Sequence, residues 1–154
     1  MGRVTARIDL PGQASDAEAL WYDHRRWPTF VDGLKNVVRV EGDWPRSGAL
    51  VVWDSGPERH GRGRVLERVV AHEARSGQTV AVEDEHIRGT QRVAFAPHAG
   101  GVTVTLELRY EPKDPRLRLR PVDALFMRRP QREALQRTLR RFAAELHAER
   151  DLAL

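Results

Sequence analysis

Apolar and polar residues alternate almost from the start of the chain: Val4, Ala6, Ile8 and Leu10 interleave with Arg3, Thr5, Arg7 and Asp9. A two-residue period puts one set on a buried face and the other in solvent, so residues 3–10 predict a half-buried strand. Pro11-Gly12 ends it. Ser15 or Asp16 stands where a helix N-cap is wanted, ahead of Ala19, Leu20 and Tyr22, and Trp27-Pro28 opens a second short helix that closes at Gly33. Beyond it, segments 37–41, 49–54, 63–72, 78–86, 90–96 and 102–110 read as strands separated by turn residues. Strands in unbroken succession predict an antiparallel meander.

Parity tests the later connections, because facing residues of a hairpin must turn the same way. Val80 and Val82 put even positions inward, Val93 and Phe95 odd ones, and Val102, Val104, Leu106 and Leu108 even ones again. These sets fit two-residue turns at Arg88-Gly89 and Ala99-Gly100, with glycine supplying positive φ. An odd loop around Ser76 then pairs Arg68 with Asp84, Val70 with Val82 and His72 with Val80.

From about Asp123 the period becomes helical, with Leu135, Leu139, Phe142 and Leu146 on one face and arginines on the other. Pro130 falls inside this stretch, so 123–129 is expected either as a separate turn or as a kinked first segment. Val122, Leu125, Phe126 and Met127 make that segment apolar enough to act as a flap over whatever the sheet encloses.

At 154 residues without cysteine, the chain is expected to be one domain, residues 1–154, with no disulfide, thiolate metal site or cysteine nucleophile. No apolar run is long enough for a membrane span and none resembles a leader, which points to a cytoplasmic protein. Net charge is +4, carried by arginine, since Lys35 and Lys113 are the only lysines. Between Arg116 and Arg141 nine arginines face two acids, Asp123 and Glu133, an asymmetry that could draw phosphates or an anionic surface.

The order strand, two short helices, meander, long helix resembles the START-like (SRPBCC) superfamily, which includes polyketide cyclases and aromatases and the birch-pollen allergens. The pieces that carry the resemblance are Ala19-Leu20-Trp21 running to Arg26-Trp27-Pro28, the strand GRGRVLERVV at 61–70, and the closing helix. It implies an α+β helix-grip fold: a seven-stranded curved antiparallel sheet wrapped around the C-terminal helix, with two short helices between strands one and two. It also implies a hydrophobic cavity for lipids, sterols, polyketides or other aromatic molecules. In the aromatase/cyclase branch a tyrosine after the Trp-Pro turn and an arginine late on the fourth strand help position the polyketide. The matching places here fall near Leu34 and His72, which carry neither residue type.

Parity gives the candidate site. The inward faces of strands four and five are expected to carry Arg68, His72, Asp84 and His86 among apolar neighbours, with Arg68 and Asp84 as an ion pair able to orient a ligand. Trp53, Phe95, Tyr110, Trp27 and Phe126 are the aromatic candidates for lining a pocket. The loop GPERHGRG at 56–63 lacks the lysine and the context of a P-loop and reads as a flexible turn at the cavity mouth. The favoured reading is therefore non-enzymatic binding of a small hydrophobic molecule by a monomer or homodimer. No cofactor and no metal are expected. The alternative is a polyketide cyclase/dehydrase with His72 or His86 as acid or base. A further alternative is an interaction module using the basic helix on RNA, ribosomes or anionic lipid, although the helix lacks the interleaved aromatics of a single-strand binder and nucleic acid is not the expected partner.

Overall fold

Strand β1 (Gly2–Leu10) buries Val4, Ala6 and Leu10 and turns Arg3, Thr5 and Arg7 outward, as the alternation requires. The computed structural model describes residues 1–56, 62–118 and 121–153, with the side chains of the last helix from Phe126 onward. After β1 come helix α1 (Ala14–Tyr22), a 3-10 turn (His24–Arg26) and helix α2 (Trp27–Phe30). Neither Ser15 nor Asp16 is the N-cap of α1. Gln13 holds that place without a side-chain bond, and Asp16 lies in the first turn, where its charge complements the positive end of the helix.

The meander follows as β2 (Leu34–Glu41), β3 (Leu50–Ser55), β4 (Arg64–Glu73), β5 (Gly77–Glu83), β6 (Ile87–His98) and β7 (Gly101–Pro112). Among the described residues the strands form one curved antiparallel sheet in the order β1-β7-β6-β5-β4-β3-β2, with β1 closing onto β7. Helix α3 (Pro115–Arg118) leads to α4 (Pro121–Ala153), which continues through Pro130 as one helix and not as a separate turn. It packs across β1 and α2 and buries Leu135, Leu139, Phe142 and Leu146, the spacing read from the sequence. No helix among the described residues is long and apolar enough to cross a membrane.

The expected pairings fail at two places on the β4–β5–β6 hairpins. The β5–β6 turn is not Arg88-Gly89, because those residues lie inside β6, with Glu83 paired to Arg88 and Val82 to Gly89. Gly89 is needed for proximity: a Cβ there would stand 1.8 Å from the carbonyl oxygen of Arg109 on β7. The reversal is made by residues 84–87 instead, where Asp84 N–H donates to the Ile87 carbonyl and the Asp84 carboxylate accepts from the N–H groups of His86 (2.8 Å) and Ile87 (2.9 Å). The side chain supplies the turn, as short polar residues do. Ala99-Gly100 is a two-residue turn, between paired His98 and Gly101, as expected.

The second failure is on β4. The β4–β5 turn closes with Glu73 paired to Gly77, so His72 faces Gln78 and not Val80, and a register shift between Val69 and Ala71 places a β-bulge there, so Arg68 faces Ala81 and not Asp84. One extra residue inverts every side chain beyond it. Before the bulge Val65, Glu67 and Val69 point inward, while Leu66, Arg68 and Val70 point out.

Candidate ligand cavity

The concave face of the sheet and α4 enclose a hollow of about 50 Å³. Its apolar walls are the indoles of Trp21, Trp27 and Trp53 with Leu106, Leu108 and Leu135. Trp27 is fixed in this wall by its Nε1–H, which donates to the Trp21 carbonyl at 2.7 Å, so its ring is held by the peptide of the preceding helix. Leu106 and Leu108 arrive from the even face of β7, and Leu135 from the apolar stripe of α4.

Polar groups enter from the opposite side. Glu67 projects inward from β4, and its Oε2 accepts from Trp53 Nε1 at 2.9 Å. No cation among the described residues lies within ion-pairing distance of this carboxyl. Burial therefore pushes its pKa above the usual glutamate range. The Trp53 hydrogen bond and the more distant Arg62 charge pull the other way without cancelling it.

Arg62 sits over the Trp53 ring, 5.3 Å from its centroid, and its Nε donates to Asp84 Oδ2 at 2.7 Å. The side chain of Asp84 is buried, and its other oxygen closes the 84–87 turn. The carboxylate thus joins the segment before β4 to the turn after β5 while holding a guanidinium against an indole.

Asp32, on the far side of the hollow, is neutralised differently. Arg137 reaches it through two nitrogens at 2.9 and 3.1 Å and Arg141 through one at 3.3 Å, while its backbone N–H donates to Thr138 Oγ1. Those contacts tether α4 to the loop after α2. Gln91 and Gln131 complete the polar lining.

The candidates read from the sequence are scattered by the same geometry. Trp27 and Trp53 line the hollow. Asp84 is buried beside it but bound to Arg62, so the expected Arg68–Asp84 pair does not exist. The bulge on β4 turns Arg68 to the outer face, where it donates to the Gly48 carbonyl at 3.3 Å. There it borders a second, larger hollow of about 520 Å³ among outward residues including Leu66, Arg88 and Arg109. That groove is open to solvent, and Arg88 and Arg109 on its rim are each paired, with Glu111 and Glu107.

His72 packs edge-on against the Tyr22 ring, 5.3 Å between centroids, and His86 is exposed, so neither imidazole joins the lining. Phe95 is core, packed edge-on against Tyr22 at 6.0 Å. Tyr110 is core as well, its hydroxyl buried without a hydrogen-bond partner among the described residues and its pKa raised by burial. Phe126 points into solvent at 74% exposure, whereas Met127 packs on the core, so the described part of the expected flap is divided. The side chains of Val122 and Leu125, and residues 57–61 of the expected mouth loop, lie outside the described residues.

Sequence reasoning missed Glu67, Arg62 and Gln91. Gln91 lies on the odd face of β6 that parity had already turned inward, so its signal was present. Glu67 was hidden because Val65-Leu66 and Val69-Val70 are apolar on both faces, which leaves the phase of that strand undetermined.

A family model described as polyketide cyclase / dehydrase and lipid transport matches residues 1–147. Among solved structures, the chain resembles a START superfamily protein from Mycobacterium smegmatis at 14% identity, with a TM-score of 0.76, covering 96% of this chain and 99% of that one. It resembles a protein from Thermus thermophilus at 18% identity, with a TM-score of 0.76, covering 96% and 98%. It also resembles the di-domain ARO/CYC StfQ of the steffimycin biosynthetic pathway at 15% identity, with a TM-score of 0.78, covering 97% of this chain and 51% of that protein. At these identities the likeness concerns the fold. A search of curated protein sequences found no match.

Proposed function

This chain belongs to the polyketide cyclase / dehydrase and lipid transport family, and from that premise we propose that it binds a small, uncharged, ring-bearing molecule in the hollow beneath α4. The observation that carries the reading is the composition of the walls: three indoles face a carboxyl with no ion-pair partner among the described residues. Flat apolar walls with a few convergent polar groups favour a planar ligand held by stacking and oriented by hydrogen bonds.

The volume argues for a small ligand. About 50 Å³ admits a few water-sized groups, so a ring enters only if flexible side chains such as Gln91, Gln131 or Arg62 swing aside. His72 and His86 lie off the lining, and a catalytic role of cyclase/dehydrase type would rest on Glu67. On α4, Arg137 and Arg141 are engaged by Asp32 and Arg129 by Glu133, which reduces the free charge available to an RNA or an anionic membrane.

The test is a thermal-shift and tryptophan-fluorescence screen with one-ring compounds. Binders are expected to raise the melting temperature and perturb indole emission. Leu135→Phe, which places more bulk in the hollow, is expected to weaken them while circular dichroism is unchanged. If no one-ring compound binds, or if binders are indifferent to Leu135→Phe, the reading fails.

A further inference from the structure

Resting on that reading of the hollow, we propose that Glu67 is the residue that sets its specificity: a carboxyl that keeps its proton and donates it to an uncharged acceptor oxygen on the ligand, such as an aryl ketone carbonyl. Glu67 Oε2 is committed to Trp53 Nε1, and the second carboxyl oxygen has no hydrogen-bond partner among the described residues while the residue lines the hollow. An open oxygen of this kind accepts when ionised and donates when protonated.

The charged groups that face it decide between these states. From the segment before β4, Arg62 is committed to Asp84 of the turn after β5 and stacked on Trp53. From the loop after α2, Asp32 is committed to Arg137 and Arg141 of α4. β6 offers Gln91, and α4 offers Gln131 and Thr138, all uncharged. Among the described residues, Arg62, which lines the hollow, and Arg137 and Arg141, which reach its Asp32, therefore already have carboxylates, and Glu67 has only an indole N–H. A half-buried carboxyl with an indole N–H but no cation of the described residues beside it holds its proton more readily than one in water, in keeping with its raised pKa.

What such a site recognises follows from its chemistry. A protonated carboxyl beside three indoles stabilises a neutral ring that carries an acceptor oxygen. It gives a bare hydrocarbon no polar contact. Arg62, Arg137 and Arg141 are engaged and so give an anionic ring no free cation, and the carboxyl offers an ammonium no charge while the proton is held.

The experiment uses the full chain and four probes of one size: toluene, acetophenone, benzoate and benzylamine, followed by quenching of tryptophan emission from pH 4 to 9. Acetophenone is expected to bind about tenfold tighter than toluene, the worth of one net hydrogen bond, and benzoate and benzylamine more weakly than either. Acetophenone affinity should fall as pH rises through the raised pKa of Glu67, while toluene affinity stays flat. Glu67→Gln, whose amide also donates, should keep the ketone preference and lose its pH dependence. Glu67→Leu should lose the preference and retain toluene.

Failure is divisible. If neither toluene nor acetophenone binds, the cavity reading falls and takes this inference with it. If toluene binds but acetophenone gains nothing, or if Glu67→Leu keeps the preference, this inference alone falls. Tighter binding of benzylamine than of acetophenone also overturns it, because Glu67 would then be ionised.

Discussion

The two halves of the interior beneath α4 are built on opposite principles. Under its C-terminal half, Trp21, Phe30 and Phe142 meet at centroid distances of 5.3 to 5.7 Å, and Leu139 and Leu146 close around them. Around Leu135 and Gln131 the same helix covers a hollow edged by Glu67, Arg62 and Gln91. Tilted and edge-to-face ring pairs add to the burial of large side chains, so the first half can hold α4 on the sheet without help from the second. A fold anchored at one end can tolerate buried polar groups and missing volume at the other. The solid cluster is what permits the hollow.

The comparison is broken most directly at the cluster. Phe142→Ala is expected to cost about 3–5 kcal/mol in denaturant unfolding, because it removes the ring common to two of the three aromatic pairs and leaves a cavity the rigid sheet cannot collapse into. A loss below about 1 kcal/mol would mean that α4 is held elsewhere. Asp84→Ala comes next, at about 2–3 kcal/mol, since it strands the N–H groups of His86 and Ile87 and frees Arg62 together. Restoration of most of that stability by Asp84→Asn would assign it to the turn and not to the ion pair.

Glu67→Gln sharpens the other side. Because the folded pKa of Glu67 is raised, the native state binds the proton more tightly than the unfolded chain. The associated stability is full below the ordinary glutamate pKa and is lost as pH rises through the raised one. The variant should therefore lie near wild type at pH 4 and gain on it as the pH rises through the raised pKa, the difference levelling off above it. A difference independent of pH would show that Glu67 is not desolvated. The smallest effect is expected from Arg68→Ala, within about 0.5 kcal/mol and without consequence for any ligand of the hollow, since the residue is exposed on the outer face. A selective loss of binding in that variant would restore the arginine to the site.

Where one face of an element is apolar and the other is not, its orientation was legible without coordinates. The inward sets of β5, β6 and β7 and the buried stripe of α4 agree with the alternation of Val80 and Val82, Val93 and Phe95, Val102 to Leu108, and Leu135 to Leu146. The site was less legible. Trp27 and Trp53 were recognised as wall candidates from size alone, whereas Glu67 and Arg62 were not, because the side chains facing them are set by a register that local pattern does not encode. Gly89 shows the same limit in another form. A glycine needed for positive φ and a glycine needed for close approach of the next strand look identical in a sequence, and only the neighbouring Arg109 carbonyl tells them apart.

The chain alone therefore determined the order of elements, the phase of every clearly amphipathic one and, by resemblance, the helix-grip architecture, because burial of apolar area is a sum over local pattern. Tertiary structure decided which polar residues meet. The bulge between Val69 and Ala71 exchanges Arg68 for Glu67 on the inner face, and the 84–87 turn gives Asp84 to Arg62. Both depend on hydrogen bonding across strands, where a shift of one residue costs little in local energy and reverses which side chain faces the ligand.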